Sequence, residues 1–559
     1  MPDDPLILDD VYDHEAAQPD RVYLTQPIGG GKVVDYTWGQ MMDQARRMAA
    51  HLRSRGLGRG DQVAVLSKNC AHFFMAELAI WMAGGTTVAI YPTELASTVR
   101  FVLEHSEAKL LFVGKLDNWS QQAAGVPDGL PLIAFPLAPP TPFERWDEVV
   151  ARHAPLPGRP AREAADLAML VYTSGSTGEP KGVMHSFEGI TRATRCIVDR
   201  MKHSLPEGWA ERSLSYLPLA HVFERAFVEC ATLMDGRTHV YFAESLDTFL
   251  ADLRRARPTT FLSVPRLWLR FQQGVFEKMP CRKLDLLLRI PVLRRVVARK
   301  VLAGLGLDHV LVAGSGSAPL PVEILAWYRR LGLNLLEGYA MSEDFACSHT
   351  STIEQNLPGF VGVAYPGVQV RIGAGGEVLI RSPGRLVGYF KHPELDAECF
   401  TDDGFFHTGD MGELRPDGLL RITGRIKEQF KTAKGKYVAP APIENLLNAH
   451  PLVESAIVSG VGQPAPFGLV VLAEALRPRL VDAAVRAEVT QALAALLDEV
   501  NRHLVDYERL RMLVVAAEPW SIENGCLTPT MKIKRARIEG GVADRVQRWY
   551  SQAVPVVWG

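Results

Sequence analysis

Apolar positions early in the chain recur with two periods. Over 40–55 they fall every three or four residues, which predicts a helix ending near Gly56. Asp61-Gln62-Val63-Ala64-Val65-Leu66 and Lys109-Leu110-Leu111-Phe112-Val113 are short apolar runs of the kind that form buried strands. Between them lies the longest apolar stretch, 73–90. Glu77 and Gly84-Gly85 interrupt it, so it predicts a buried helix over 73–83, a turn, and a strand over 87–91, not a membrane span. Another helix is predicted over 97–105. Strands alternating with helices predict parallel βαβ units covered on both faces. The pattern resumes after a loop at 138–143 and runs to about residue 336.

The texture changes from Gly359. Short strands predicted over 368–372, 377–380 and 419–422 are separated by Gly, Pro and Asp turns, which suggests a small antiparallel barrel or sheet. An α+β segment follows Gly424-Arg425. The expected class is α/β: an N-terminal domain over 1–426 with βαβ-type sheets, containing a β-barrel-like subdomain over 359–426, and a smaller α+β domain over 427–559.

Composition narrows the function classes. A length of 559 residues exceeds what one core serves. With 61 Lys+Arg against 63 Asp+Glu, net charge is −2, and no cationic excess points to nucleic acid. The seven cysteines contain no Cys-x-x-Cys pair, so neither a zinc site nor a disulfide framework is indicated, and reduced thiols in a cytoplasmic setting are expected. The start, Met1-Pro2-Asp3-Asp4-Pro5, lacks an apolar signal core.

The chemistry-bearing motif stands after a strand over 168–172: Thr173-Ser174-Gly175-Ser176-Thr177-Gly178-Glu179-Pro180-Lys181-Gly182. Glycines let backbone approach a phosphate closely, hydroxyls and N–H groups satisfy its oxygens, and Lys181 adds positive charge. It is not a Walker A loop, because Pro180 and Gly182 occupy the second Gly and the Ser/Thr places. Alone it reads equally as a Ser/Gly linker. Six further motifs follow. They are His221-Val222-Phe223-Glu224-Arg225, Gly316-Ser317-Ala318-Pro319, Glu337-Gly338-Tyr339-Ala340-Met341-Ser342-Glu343, Thr408-Gly409-Asp410, Gly424-Arg425, and Gly525 to Arg535 with Lys532 and Lys534. Each has an ordinary structural reading. A lone His packs, the run from Val312 to Pro321 makes a strand-to-helix turn with a proline near the first helical position, Asp-Gly forms turns, and basic residues line loops.

In this order the seven motifs resemble the adenylate-forming (AMP-binding) superfamily over nearly the whole chain, and His221-x-x-Glu224-Arg225 with Tyr241-Phe242-Ala243-Glu244-Ser245 is most similar to bacterial long-chain fatty acyl-CoA synthetases. The resemblance implies an ATP-dependent acid–thiol ligase that uses ATP, Mg²⁺ and coenzyme A. Thr173, Ser174, Gly175, Ser176, Thr177, Gly178 and Lys181 would hold phosphates. Gly316, Ser317, Ala318, Pro319, Glu337 and Gly338 would line the adenine site, and Tyr339 would stack on the base. Ser342 would touch the α-phosphate, where the family usually has Thr, and Glu343 would hold the metal. Asp410 and Arg425 would bind ribose, and His221 would lie beside the reacting carboxylate. Lys532 would be the catalytic lysine, with Lys534 as runner-up.

The resemblance also implies a mobile C-terminal domain hinged at Lys427, with Lys434 and Gly435 facing a thiol acceptor. That loop departs from the family, with Ala433-Lys434-Gly435-Lys436 where Ser-Gly-Gly-Lys is common. The implied acid is a medium or long fatty acid, or another carboxylic acid. A carrier protein as acceptor and a non-catalytic adenylate-binding protein stay open as alternatives, as does oligomerisation. With no domain after Gly559, a reductase is not expected. Eight basic residues against one acid between Lys278 and Lys300, with apolar positions at helical spacing, read as a solvated helix face or as a peripheral membrane contact.

Overall fold

The computed structural model describes residues 5–174, 179–202, 210–528 and 531–559. The expected βαβ alternation is present. Helices Trp38–Ser54, Ala71–Ala83 and Ala96–His105 and strands Gln62–Leu66, Thr86–Ile90 and Leu110–Val113 lie within two residues of their predicted ends. Trp38–Ser54 starts where Thr37 accepts from the Gln40 N–H and Gln40 returns the bond, a capping box. Ala71–Ala83 is buried on every side, and Gly84 ends it at φ +105°, a conformation open to glycine.

Among the described residues, four sheets build the part of the chain up to Arg425. The largest has eight strands in the order Gly388–Tyr389, Pro180–Ser186, Leu167–Ser174, Thr86–Ile90, Gln62–Leu66, Leu110–Val113, Leu132–Ala134 and Glu144–Arg145. It is parallel from Leu167–Ser174 outward on one side, while Pro180–Ser186 pairs antiparallel to Leu167–Ser174. Thr173 and Ser174 therefore pair with Lys181 and Pro180, so both ends of the predicted loop belong to the strands. The return strand carries Pro-Lys-Gly at its start, which is turn chemistry in sequence, and so it was not predicted.

A five-stranded sheet runs Thr260–Ser263, Val312–Ser315, Leu335–Tyr339, His349–Thr350, Val363–Ala364. A four-stranded one runs Arg212–Ser215, His239–Phe242, Val22–Pro27, Val33–Thr37. The helix after Val312–Ser315 begins at Val322 with Pro321 as its N-cap, so the expected strand-to-helix turn with a proline near the first helical position is present.

The β-rich segment takes the sheet form of the two forms expected. Gln369–Ile372, Glu377–Arg381, Phe406–Leu414 and Leu420–Arg425 make an open antiparallel ladder. Thr408-Gly409-Asp410, read as a turn, sits inside the third strand. Gly409 takes φ +68° there, and the register shifts between Met411 and Gly412. Beyond Arg425, strands Val453–Ser459, Phe467–Leu472, Leu513–Val515 and Val556–Trp558 form a sheet with cores of their own around Leu493, Leu497 and Val470 on one face and Phe467, Val514 and Trp549 on the other. Arg266 and Arg270, on helix Pro265–Lys278, pair with Glu454 at 2.5 Å and Glu474 at 3.1 Å across this division.

Candidate active site

The predicted residues converge where strand ends of the five-stranded sheet meet the antiparallel ladder. Tyr339 ends strand Leu335–Tyr339, and its hydroxyl donates to Asp410 Oδ2 at 2.6 Å. Arg425 lies opposite Asp410 in the ladder register, and its Nε donates to Asp410 Oδ1 at 2.8 Å. Asp410 is held from behind as well. Its N–H donates to Thr408 Oγ1, while the Thr408 hydroxyl donates to the Val378 carbonyl at 2.6 Å. The Asp410 side chain is 9% exposed and that of Arg425 is 62% exposed, so the carboxylate is fixed while the guanidinium can add partners.

Ser342, Glu343 and Asp344 form one 3-10 turn just beyond Tyr339. Three contacts set it. His185 Nε2 donates to the Ser342 carbonyl at 2.8 Å, the Leu386 N–H donates to the Glu343 carbonyl, and the Met341 N–H donates to buried Asp344. Burial pushes the Asp344 carboxyl up to about 8 and the His185 imidazole down to about 4, so both are neutral near pH 7. The Glu343 carboxylate receives the Tyr389 hydroxyl at 2.9 Å. Lys181 places its ammonium 5.7 Å from the Tyr389 ring centre.

His221 caps a short helical turn, with Nδ1 accepting from the Phe223 N–H at 3.1 Å. That bond requires a bare Nδ1, so the neutral ring carries its proton on Nε2. Burial, and then Lys532, push its pKa down to about 3, and it is a neutral donor throughout the physiological range. Glu224 ties this turn to the strand before it by accepting from Ser215 Oγ, the Tyr216 N–H and Asn69 Nδ2.

Gly316 has room for a Cβ, with Phe223 at 3.5 Å, whereas Ser317 stands in the left-handed region at φ +69°. Glu337 is buried beside this turn. One of its oxygens accepts from the Leu320 N–H at 3.3 Å, the other has no protein partner, and burial pushes the carboxyl up to about 7. Gly338 pairs with Thr350 on the neighbouring strand.

Lys532 comes from the far end of the chain. Leu527 and Ile533 form an antiparallel bridge, Met531 takes φ +63°, and the Lys532 N–H donates to Thr528 Oγ1. Lys532 is exposed to solvent, yet protein groups crowd its side chain. The resulting desolvation, and then Arg425, lower its pKa, while Glu343 and Asp410 pull the other way. Lys532 is thus within electrostatic reach of His221, Glu343, Asp410 and Arg425. Lys534, the runner-up, acts instead on Glu94, whose carboxyl is pushed up chiefly by burial.

Some predicted residues are not part of this cluster. Lys427, in the turn Ile426–Glu428, and Lys434 with Gly435, in the hairpin after Phe430–Lys431, are exposed. Gly175, Ser176, Thr177 and Gly178 lie outside the described residues, as does the side chain of Ser174, and Thr173 is half-buried at the strand end. Among the described residues no three His, Cys, Asp or Glu side chains group as a metal cage, so Glu343 would be a single protein ligand.

Sequence reasoning missed Tyr389 and His185. Gly388-Tyr389 pairs with Met184 and Val183, which brings it beside strand Pro180–Ser186, and only that register reveals it.

The site can fix a nucleotide sugar, hold a hard cation and neutralise a phosphate with a lysine delivered from a separate unit. A model described as AMP-binding enzyme matches residues 11–390, and one described as AMP-binding enzyme C-terminal domain matches 427–554. The long-chain-fatty-acid–CoA ligase FadD15 of Mycobacterium bovis is 32% identical over 97% of this chain and 96% of its own length. Long-chain-fatty-acid–CoA ligase 1 of Homo sapiens is 26% identical, covering 88% and 78%. The A domain of carboxylic acid reductase from Segniliparus rugosus, solved with AMP and a co-purified carboxylic acid, shares the fold with a TM-score of 0.79 at 22% identity, covering 98% and 94%. The chain belongs to the AMP-binding enzyme family.

Proposed function

We propose that this protein is an AMP-forming acyl-CoA synthetase that activates a medium- or long-chain fatty acid with ATP and passes the acyl group to coenzyme A, releasing AMP and pyrophosphate. The observation that carries the reading is Lys532, from the C-terminal unit, whose ammonium feels the charges of Arg425, Glu343 and Asp410. The substrate class rests on the two ligases just named, the first of which matches over nearly the whole of both chains.

A carboxylate is a poor electrophile, and its attack on the α-phosphate of ATP makes it a good one. Charge grows on the phosphoryl oxygens during that attack, so placement and charge stabilisation carry the catalysis. Asp410, with one hydrogen bond on each oxygen, has lone pairs left for two ribose hydroxyls, and Arg425 adds a donor at the same edge. Tyr339 is pinned through its hydroxyl, which leaves its ring face as a platform for a flat base. The partnerless oxygen of Glu337 is an acceptor beside that platform. Thr173, Lys181 and Ser342 take the phosphates, together with Ser174, Gly175, Ser176, Thr177 and Gly178. His221 offers its Nε2 proton to the incoming carboxylate without competing for a proton of its own. Lys532 neutralises the α-phosphate.

Mg²⁺ fits the single carboxylate of Glu343, because this cation takes one or two protein carboxylates and fills its remaining places with phosphate and water. When bound it supplies charge neutralisation across the phosphates.

In the second half-reaction the C-terminal unit, residues 427–559, turns about Lys427. Lys532 withdraws, and the Lys434-Gly435 hairpin comes up to the phosphate-bearing thiol. The location is cytoplasmic, with peripheral contact to a membrane from which the acid is drawn. A panel of acids from acetate to stearate, with benzoate, tests the reading. Formation of AMP with coenzyme A should depend on the acid and peak at the longer chains. Transfer to a phosphopantetheinyl carrier protein in place of coenzyme A would overturn the acceptor. An absence of AMP formation with every acid would overturn the activity.

A further inference from the structure

Helices Cys281–Arg289 and Pro291–Leu305 form a pair on the surface of the core that lies beneath the five-stranded sheet. The inner face is ordinary, with Leu284, Leu288, Ala298 and Leu305 buried. The outer face is not. Leu286 is 61% exposed, Val292 76% and Val296 63%, and Ile290 and Leu293 also stand in solvent. A solvated helix face carries polar residues at such positions. Here aliphatics occupy the centre of the outer face, and cations flank them.

Helical spacing makes the arrangement explicit. Val292 and Val296 are one turn apart and lie on one line of the helix surface. Arg295 and Arg299 run along one side of that line, and Leu293 and Lys300 along the other. On the first helix Arg282, Lys283 and Arg289 surround Leu286. The single acid between Lys278 and Lys300, Asp285, is taken by Arg330 at 2.9 Å. Among the described residues none of Arg282, Lys283, Arg289, Arg295, Arg299 or Lys300 has a carboxylate partner. Like charges crowded together without counter-charges raise the local potential, and exposed aliphatics cost free energy in water.

We propose that this helix pair is the docking surface for an anionic lipid bilayer, with Leu286, Val292 and Val296 entering the headgroup layer and the flanking arginines and lysines meeting lipid phosphates. Charge complementarity selects this occupant, because an apolar ridge edged by cations matches an interface whose outside is anionic and whose inside is hydrocarbon. No helix among the described residues is long and apolar enough to cross a membrane, so the helix pair would lie along the surface. The inference rests on the fatty-acid reading only for why a bilayer is worth reaching, since the surface itself is independent of the site.

The test is co-sedimentation of the full chain with vesicles of phosphatidylcholine alone or with about one third phosphatidylglycerol, at low and high salt. Each cation near the surface contributes about fivefold to partitioning. The anionic vesicles should therefore bind the wild type at least tenfold more strongly. R295E/R299E and added salt should each remove most of that gain, and V292S/V296S should weaken binding about tenfold at low salt. All four positions are exposed, so the fold is retained, which pyrophosphate exchange with a water-soluble acid checks. Exchange also reads the chemistry separately from the surface. Equal binding by wild type and both variants, or no preference for anionic vesicles, overturns the proposal. So does a dimer that V292S/V296S splits without any vesicle binding, since the ridge would then belong to a second copy.

Discussion

Two arginines in this molecule face carboxylates in opposite circumstances. Arg225 lies in the core with no exposed surface, 2.5 Å from Glu77 and 3.4 Å from Glu229, both equally buried. Arg425 holds Asp410 at 2.8 Å but keeps most of its own side chain in solvent. The first arrangement spends all of its electrostatics internally. Two carboxyls share one guanidinium, and burial followed by the charge of Glu77 holds the Glu229 carboxyl well above the usual range, so it keeps a proton and the cluster is neutral. This cluster fixes the turn of π-helix Arg225–Cys230 behind His221 against helix Ala71–Ala83. The second pair is incomplete by design, since a fixed carboxylate and an open guanidinium suit a ligand that has yet to arrive. Burial decides which pair supports the fold and which serves the chemistry.

Removing Arg225 should be the most costly change. Arg225→Ala strands a carboxylate in the core and should lower stability by about 3–5 kcal/mol in urea unfolding. Replacing Arg225, Glu77 and Glu229 together by Met, Leu and Leu should recover most of that loss. A stable single variant would mean that the cluster is not holding the turn.

Arg425→Ala sharpens the contrast, because stability should change by less than about 1 kcal/mol. The KM for ATP should rise about tenfold or more, the weight of a charge-assisted hydrogen bond. An unfolding midpoint that moves as far as that of Arg225→Ala would erase the distinction.

A smaller effect is expected at Tyr389, which positions Glu343. Tyr389→Phe removes one hydrogen bond of about 1 kcal/mol and should raise the Mg²⁺ requirement roughly fivefold, leaving the KM for the acid unchanged. A uniform loss of activity at every Mg²⁺ concentration would point to a purely structural role.

The smallest effect is in the pH profile. Lys532 acts as a cation, and its pKa is held below the ordinary lysine value of 10.5, so activity should fall as pH rises through that lowered pKa. In Lys532→Arg the charge persists and the alkaline limb should move to higher pH. A limb that does not move belongs to another group.

Much of the site was legible in sequence because its parts are short. Gly316 to Pro319, Glu337 to Glu343 and Thr408 to Asp410 are each a run of a few consecutive positions. The helix and strand ends around 38–113 were legible too, since apolar period and capping agree there. What could not be read is what register creates. Glu77 and Arg225 meet across 148 positions, and Tyr389 and Glu343 across 46. Nothing local to Gly388-Tyr389 says that it will add to the edge of the largest sheet. Strand Phe406–Leu414 was missed for a related reason. Its Thr-Gly-Asp centre is turn chemistry, and its pairing with neighbours on both sides overrides that local preference.

The central claim is that a lysine from the C-terminal unit completes a site built by the rest of the chain, for one half-reaction only. Measuring both half-reactions in Lys532→Ala tests it most directly. Acid-dependent exchange of pyrophosphate into ATP should fall about 10²-fold or more, while thioester formation from supplied acyl-adenylate and coenzyme A should stay within a few-fold of the wild type. Equal loss in both half-reactions, or exchange that survives intact, would contradict the account.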